Sequence, residues 1–428
     1  MNTEVKDELP KDNRDFSLAS PPFPQPPGRD GRGPIPGSVN GRGNELTVDF
    51  PAPGGKALQI SAGNRIIGNK KTERMIPMLQ AFPAFDRETC LNYFRQLIAV
   101  DSTTGQYEEI QALLCKMLDE LGYPYRVTRK GGVIAHLGGE GEALAVTAHL
   151  DDIGLMVRKV NPDGTLNVCP VGGLYPFYCV TENVRVHTRD GKTYTGTVCR
   201  TPNSIHVTEE ELRATPGDFR TNVCVVLDED VRSAADTEAL GVTTGDMIAL
   251  EPRFTLAGDY VKSRFLDDKA PAAVLLTAMK ALKDSSLSLP RKVYAYFAFY
   301  EEIGHGTTVL PEDVEDMLAL DIAPTGPDQT SDERKVSIFA KDSRFPYHWG
   351  MTSELRRTAI DGGIDFVMDI FTPHYGTDCD PSLAAGYDIR HAAIGPGTAN
   401  SHGYERTHVD GLKNTYDLLL AYLLPDGK

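Results

Sequence analysis

Hydrophobic and polar residues alternate with two different periods along the chain from about residue 84 onward. Apolar residues at helical spacing predict four helices, over residues 89–98, 108–121, 269–282 and 412–424. Short apolar runs predict buried strands over residues 143–148, 294–300, 317–320 and 365–369. Helices that alternate with apolar strands are typical of an α/β domain, here a mixed sheet with flanking helices.

The pattern changes between residues 157 and 256. Short β segments there are separated by turns such as Arg189-Asp190-Gly191 and Gly245-Asp246. Evenly spaced short strands with Gly and Asp turns predict a separate all-β domain, PDZ-like or a barrel. We therefore expect one α/β domain, formed by residues 84–156 and 257–428, that is interrupted by a β insert of residues 157–256.

Residues 1–83 have a different composition. Pro21-Pro22, Pro26-Pro27 and repeated Gly-Arg pairs occur without a sustained apolar period. Such a segment buries too little apolar surface to offset its loss of conformational entropy. The sequence predicts a disordered or loosely ordered extension.

Charge and hydropathy narrow the range of partners. The chain has 44 basic and 60 acidic residues and a net charge of −16, which argues against nucleic acid or an anionic membrane as a partner. No apolar window is long enough to span a bilayer, and the N-terminus is too charged for a secretory signal. We expect a cytoplasmic protein.

Metal-capable side chains follow three of the apolar strands. His149 and Asp151 come after the first strand, Glu301 and Glu302 after the second, and Asp321 after the third. If these strands are parallel, their carboxyl ends meet at one edge of the sheet, where α/β proteins bind ligands. Two adjacent acids at the end of a buried strand are costly without a cation. The pattern predicts a charged cleft.

Two further segments offer ligands. Asp267 and Asp268 precede a predicted helix, where an acid is also favoured by the helix dipole. His402 and His408 lie in one polar segment, and either could be a ligand. Imidazoles combined with carboxylates suit zinc, cobalt or manganese.

The order of these motifs resembles that of the TET-type dinuclear zinc aminopeptidases, the glutamyl, leucyl and lysyl aminopeptidases of metallopeptidase family forty-two. The resemblance runs from about Leu91 to Leu424. It rests on His149-x-Asp151, Asp267-Asp268-Lys269, Glu301-Glu302-Ile303-Gly304, Asp321, His402-x-x-Glu405 and the paired glycines Gly172-Gly173. It implies a zinc exopeptidase-like fold and a metalloaminopeptidase that acts on peptides.

The resemblance also implies a ligand set for two divalent metal ions. His149 and Asp321 would bind one ion, Glu302 and His402 would bind the other, and Asp267 would bridge both. At the last position the family spacing to Glu405 favours His402 over His408.

The catalytic roles follow from the same resemblance. Glu301 would be the general base that activates a metal-bridging water, and Asp151 would orient His149. Departures from the family pattern at His305 and at His374-Tyr375-Gly376-Thr377-Asp378 point to the substrate pocket. His305, His374 and Asp378 are therefore candidates for lining it.

By the same resemblance, the β insert would mediate dimerisation, and dimers would assemble to a dodecamer. Two alternatives remain open at this point. A related dimetal amidohydrolase, deacylase or carboxypeptidase would use a similar site on another substrate. A scaffold without activity would use only the β insert, for assembly.

Overall fold

The protein is described here from a computed structural model, which describes residues 82–202 and 204–425. The extension expected over residues 1–83 lies outside the described residues, apart from Phe82 and Pro83. No helix in the described part of the chain is both long and apolar enough to cross a membrane.

The strands, in chain order, are β1 Tyr125–Val127, β2 Val133–Gly138, β3 Ala143–His149, β4 Gly154–Val160, β5 Leu166–Val171, β6 Asn183–His187, β7 Thr193–Arg200, β8 Val223–Leu227, β9 Met247–Leu250, β10 Thr255–Ala257, β11 Tyr260–Ser263, β12 Lys292–Ala298, β13 Val314–Leu320, β14 Ala323–Pro324, β15 Val336–Lys341, β16 Phe366–Ile370, β17 Arg390–Thr398 and β18 Glu405–His408. The helices are α1 Arg87–Ile98, α2 Glu108–Leu121, α3 Pro176–Cys179, α4 Glu210–Ala214, α5 Ala234–Ala239, α6 Leu266–Asp284, α7 Trp349–Gly362, α8 Cys379–Ala384 and α9 Val409–Leu423.

A mixed sheet forms the centre of the α/β part, with the strand order β1-β2-β12-β3-β13-β17-β15-β16 and β14 beside β17. Its four central strands, β12, β3, β13 and β17, are mutually parallel. All seven residues of β3 are buried, as expected of a parallel strand covered on both faces. The carboxyl ends of these strands therefore open at one edge.

Helices cover both faces of this sheet. On one face, α1, α2, α6, α7 and α9 share a core with the sheet, whereas α8 packs into a smaller core on the other face. Helix α6 is buried over most of its length because its residues are largely Ala, Leu and Val. The predicted α/β fold with a mixed sheet and flanking helices is confirmed.

The β insert is a closed barrel of six strands in the order β4-β5-β8-β7-β6-β9, and all its pairings are antiparallel. The barrel encloses its own apolar core. Of the two expected forms of this insert, the structure has the barrel. The expected boundary at residue 157 falls within β4, which pairs with β5 from Gly154 onward, so an insert defined by pairing begins there.

Candidate metal centre

Three parallel strands bring acidic and imidazole side chains to one edge of the sheet. β3 ends at His149, β12 ends at Ala298, and β13 ends at Leu320, directly before Asp321. Because β12 and β13 both pair in parallel with β3, the residues that follow them converge on a cleft of about 360 Å³. This is the edge that the sequence predicted.

Glu301 and Glu302 both line this cleft. The residues 301–303 form a single 3₁₀ turn and not a continuation of the strand, so adjacent side chains need not point to opposite sides. The carboxylate of Asp151 accepts hydrogen bonds from the backbone N–H of Glu301 at 3.1 Å and of Glu302 at 3.3 Å. Asp151 thus fixes the turn that carries the two acids.

Asp267 lies between two histidines. Its Oδ1 is 3.2 Å from Nε2 of His149, and its Oδ2 is 3.5 Å from Nε2 of His402. The same nitrogen of His402 is 3.4 Å from Glu302 Oε2, and Nε2 of His149 is 3.6 Å from Glu301 Oε2. One carboxylate therefore presents an oxygen to each of two imidazoles.

His402 is positioned by two contacts. Its backbone N–H donates to Glu405 Oε1 at 3.0 Å, and the other oxygen of Glu405 accepts the N–H of Asp267 at 3.1 Å. Its Nδ1 lies 3.0 Å from the carbonyl oxygen of Gly173 in the barrel. An Nδ1–H bonded to this carbonyl leaves Nε2 free for the cleft. His408, the other candidate for this ligand position, instead accepts a hydrogen bond from Asp410 N–H at the start of α9 and packs against Tyr260.

Asp151 approaches His149 more closely with its backbone carbonyl than with its carboxylate. β3 ends at His149, so Asp151 is not on the same strand. Nδ1 of His149 lies 3.1 Å from the backbone carbonyl of Asp151 and 3.5 Å from its carboxylate. The carboxylate accepts a hydrogen bond from Thr104 at 2.7 Å, in addition to the two from the 3₁₀ turn.

The acids of the cleft are held away from their ordinary charge states. Burial raises the pKa of Glu302 to about 8. Burial also raises the pKa of Glu301 and Asp321 well above their ordinary values, and neighbouring carboxylates add to both shifts. Like charges crowded in a low dielectric favour protons or a cation.

The pKa of Asp267 is shifted in the opposite direction to the pKa values of Glu301, Glu302 and Asp321. Burial alone would raise the pKa of Asp267, but hydrogen bonds from His149 and His402 lower it overall. Burial alone would lower the pKa of both histidines, yet the adjacent carboxylates raise it well above its ordinary value. The two imidazoles thus act as the counter-charges of this carboxylate.

The donor set fits divalent cations. Donor atoms of His149, Asp267 and Glu302 lie within 4.8 Å of one another, and so do those of Asp267, Asp268 and Asp321. Oδ1 of Asp268 is buried and has no hydrogen-bond partner among the described residues. Imidazole nitrogens with carboxylate oxygens are ligands that zinc and similar ions accept. The chemistry of the cleft therefore matches the predicted cofactor class.

The predicted pocket residues lie in three different places. His374 lines the cleft. Asp378 is buried, and its backbone carbonyl accepts a hydrogen bond from Thr307. His305 does not line the cleft, and its ring nitrogen contacts Lys130.

Thr104 and Arg344 carried no sequence signal, and Tyr375 lay in the singled-out segment 374–378 without being a pocket candidate itself. Thr104, which holds Asp151, lies in an ordinary loop between α1 and α2. Tyr375 donates its hydroxyl to the Ile322 carbonyl beside Asp321, and Arg344 lines the outer cleft. Long-range contacts place all three, so only their loop positions could have drawn attention to them.

Comparisons with known proteins match this chain to a family of peptidases. The family model described as M42 glutamyl aminopeptidase matches residues 131–418. The YhfE protein of Bacillus subtilis is 35% identical over 338 residues, which cover 78% of this chain and 96% of that protein. The lysyl aminopeptidase of Pyrococcus furiosus is 26% identical over 229 residues, covering 53% of this chain and 64% of that enzyme.

Solved structures show the same fold. The TET1 peptidase of Pyrococcus horikoshii, which can assemble into a tetrahedron or a large octahedral shell, has a TM-score of 0.69 and 22% identity, covering 78% of this chain and 99% of that chain. A TET aminopeptidase from a marine-sediment Thaumarchaeota archaeon has a TM-score of 0.71 and 18% identity. The match covers 78% of this chain and 96% of that chain. The structure PhTET1-12s, a dodecamer, has a TM-score of 0.68 and 22% identity. The match covers 78% of this chain and 98% of that chain. With a family model matched over more than half of its length, this chain belongs to the M42 glutamyl aminopeptidase family.

Proposed function

We propose that this chain is a two-metal aminopeptidase in which Glu301 is the general base. The aminopeptidase function belongs to the family, and the proposal concerns the mechanism. One observation carries it: the two oxygens of Asp267 face Nε2 of His149 and Nε2 of His402, at 3.2 and 3.5 Å. A carboxylate placed between two imidazoles is suited to bridge two cations.

The proposed ligands divide into two sets around Asp267. His149 and Asp321 would hold one divalent ion, and Glu302 and His402 would hold the other. Two such ions, zinc or alternatively cobalt or manganese by donor chemistry, would acidify a water molecule and polarise the scissile carbonyl. The chain's own residues then have to position the ions and move the proton.

Glu301 is the residue that we propose to move that proton. It lines the cleft at 3.6 Å from Nε2 of His149, and burial raises its pKa well above the ordinary value. A carboxylate with a raised pKa can take a proton from the attacking water and pass it to the leaving amine. Asp151 is a positioning residue, because it holds the N–H groups of Glu301 and Glu302.

We further propose a cytoplasmic homo-oligomer that trims peptides. The support for an oligomer is the fold shared with TET peptidases that form a dodecamer, a tetrahedron or an octahedral shell. In this proposal the α/β part is the catalytic domain and the barrel mediates dimerisation. Sedimentation velocity of the purified chain tests it, since a single monomeric species would contradict it.

The mechanism is tested with free and N-acetylated aminoacyl-anilides, before and after chelation and after zinc, cobalt or manganese is restored. We expect metal-dependent cleavage of the free substrates only. Glu301→Gln should lower kcat by about 10²–10⁴-fold, the usual contribution of a general base, and should leave the bound metal, measured by atomic emission, unchanged.

Glu302→Gln is the matched control, because it changes the neighbouring acid in the same turn. This variant should lose metal as well as activity, since Glu302 is a proposed ligand. Full activity of Glu301→Gln would place the base elsewhere. Cleavage of the acetylated substrates would point to a deacylase instead.

A further inference from the structure

A second cavity lies beside the 3₁₀ turn of residues 301–303 and outside the metal cleft. It has a volume of about 610 Å³, and it shares no lining residue with the cleft. Its walls are the hairpin turn between β1 and β2 and the residues that surround the 3₁₀ turn. This volume lies within the range of ordinary small-molecule sites.

Three cations line this cavity: Arg126, Arg129 and Lys130. Within residues 82–202 and 204–425, no carboxylate lines it, and none forms an ion pair with these three side chains. The chain as a whole carries a net charge of −16. Arg126 and Arg129 have no acidic partner among the described residues, so their hydrogen-bond donors are available to an anion, whereas Lys130 contacts His305.

The floor of the cavity is aromatic. Tyr296 and Phe299 are 3% and 1% exposed, and the ring of Tyr300 lies beneath Lys130 with 4.1 Å between Nζ and the ring centroid. Apolar side chains with a few convergent polar groups are characteristic of sites that bind small molecules. The apolar body of such a molecule would suit the aromatic residues, and its anionic group would suit the three cations.

The hairpin of β1 and β2, which carries the three cations, is held by contacts at its turn. Thr128 N–H donates to the Gly132 carbonyl at 2.7 Å, and Gln111 of α2 donates to the Gly131 carbonyl at 2.6 Å. A Cβ at Gly131 would lie 2.2 Å from the ring of Tyr107, so α2 and the turn are in close contact. A site held in place before binding loses little entropy when it takes a ligand.

We propose that this basic cavity is a second binding site, for a small molecule that carries a carboxylate or a phosphate on an apolar body. Lys130 connects the cavity to the segment that follows the 3₁₀ turn, because its Nζ donates to the backbone carbonyl of His305 at 3.2 Å. A bound anion competes with His305 for this lysine. The site is independent of the proposed mechanism.

Isothermal titration calorimetry of the metal-loaded full chain tests the proposal with three probes: phenyl phosphate, phenylacetate and benzyl alcohol. We expect at least one of the anions to bind saturably and benzyl alcohol not to bind. The tighter of the two anions identifies the head group. Absence of saturable binding by both anions, or equal binding of benzyl alcohol, would overturn the proposal.

Variants locate the site. The single variant Arg126→Gln removes a cation that has no ion-pair partner among the described residues. We expect this variant and the double variant Arg126→Gln/Lys130→Gln each to weaken anion binding by about tenfold or more, which is the loss expected for a charge-assisted hydrogen bond. The exposed Arg232→Gln is the matched control and should bind as the parent does. Melting temperatures verify that each variant is folded.

Glu302→Gln separates this site from the metal cleft. Anion binding that persists in this variant supports the basic cavity, whatever the outcome for the catalytic mechanism. Binding that is lost in Glu302→Gln, or unchanged in Arg126→Gln/Lys130→Gln, would assign the anion to the metal cleft and contradict the proposal.

Discussion

At the scale of single residues, a buried acid without hydrogen-bond donors in the described part of the chain lies outside the lining of the cleft. Asp380 is 2% exposed, and neither of its carboxylate oxygens has a hydrogen-bond donor among the described residues. Burial, together with the adjacent Asp342, raises its pKa to about 7. The guanidinium of Arg344 lies 4.0 Å away and compensates only in part. The acid therefore keeps its proton in the folded chain under conditions where an unfolded chain has lost it.

This proton makes stability depend on pH. An acid whose folded pKa is raised stabilises the fold fully below its ordinary pKa of 3.8, and that contribution is lost as the pH rises to about 7. Asp380→Asn replaces the acid with a neutral side chain of the same shape. We expect the variant to melt at a higher temperature than the parent at pH 8, and by a smaller margin at pH 5, because less of the contribution is lost there.

Thermal unfolding between pH 5 and pH 8 measures the effect. The exposed Asp361→Asn serves as the control for the change in net charge. A lower melting temperature of Asp380→Asn at pH 8 would mean that the ionised carboxylate is used in the fold, for instance by Arg344.

At the scale of elements, the barrel contributes directly to the metal cleft. The loop after β5 carries Gly172 and Gly173, and the carbonyl of Gly173 meets Nδ1 of His402 at 3.0 Å. Gly172 has φ +77°, and a Cβ on Gly173 would lie 2.7 Å from that same nitrogen. The paired glycines therefore let the loop approach the histidine closely and fix its ring.

Gly173→Ala tests this contact. The added methyl group has to displace the imidazole, and loss of a partner that orients a metal ligand typically costs about 10–100-fold in metal affinity or activity. We expect such a loss in a titration with zinc. Gly217→Ala, also in the insert, adds a methyl that meets the side chains of Pro176 at 3.1 Å and Val223 at 3.5 Å, and it should bind zinc normally.

At the scale of the whole molecule, an ion cluster joins the barrel to the α/β part. Asp101, which follows α1, accepts a hydrogen bond from Arg185 Nε at 2.6 Å and lies 2.8 Å from Nε2 of His187. Arg185 and His187 both belong to β6. Burial alone would raise the pKa of Asp101, but these two partners lower it to about 2.

Removing this acid should weaken the coupling of the two parts. Because the folded pKa is lowered, the contribution of Asp101 is present above its ordinary pKa of 3.8 and is lost as the pH falls towards 2. We expect Asp101→Asn to lower the free energy of unfolding at pH 7 by about 1.5–3 kcal/mol, the usual value for hydrogen bonds to a charged group.

Differential scanning calorimetry at pH 7 measures this change and also reports whether the transition splits in two. The exposed Asp259→Asn, which removes an ion pair with Arg87, is the control and should change little. An unchanged transition in Asp101→Asn would show that the cluster does not hold the barrel in place.

Local patterns determined a large part of this architecture. The 3.6-residue period predicted α2 with the bounds that the structure has, Glu108–Leu121, and the end of α1 at Ile98. Apolar runs predicted β3, β12 and β13 because strands buried on both faces have little polar content. The acids and histidines after these strands were visible for the same reason, since each interrupts an apolar run.

Only the tertiary structure decided where these side chains point. The apolar run at residues 294–300 hides the end of β12 at Ala298, because Phe299 and Tyr300 are as apolar as the strand. The 3₁₀ turn that follows is held by Asp151, about 150 residues earlier in the chain. Glu405 and Gly173, two contacts from different parts of the chain, place His402 in the cleft, whereas His408 caps α9.

The same distinction applies to the barrel boundary and to the basic cavity. Pairing with β5, and not local composition, assigns Gly154–Met156 to the barrel. The basic cavity unites the hairpin at residues 126–132 with residues 296–309. Sequence periodicity reports which side chains are buried, but contacts between distant segments are fixed only when the whole core packs, and those contacts form the sites.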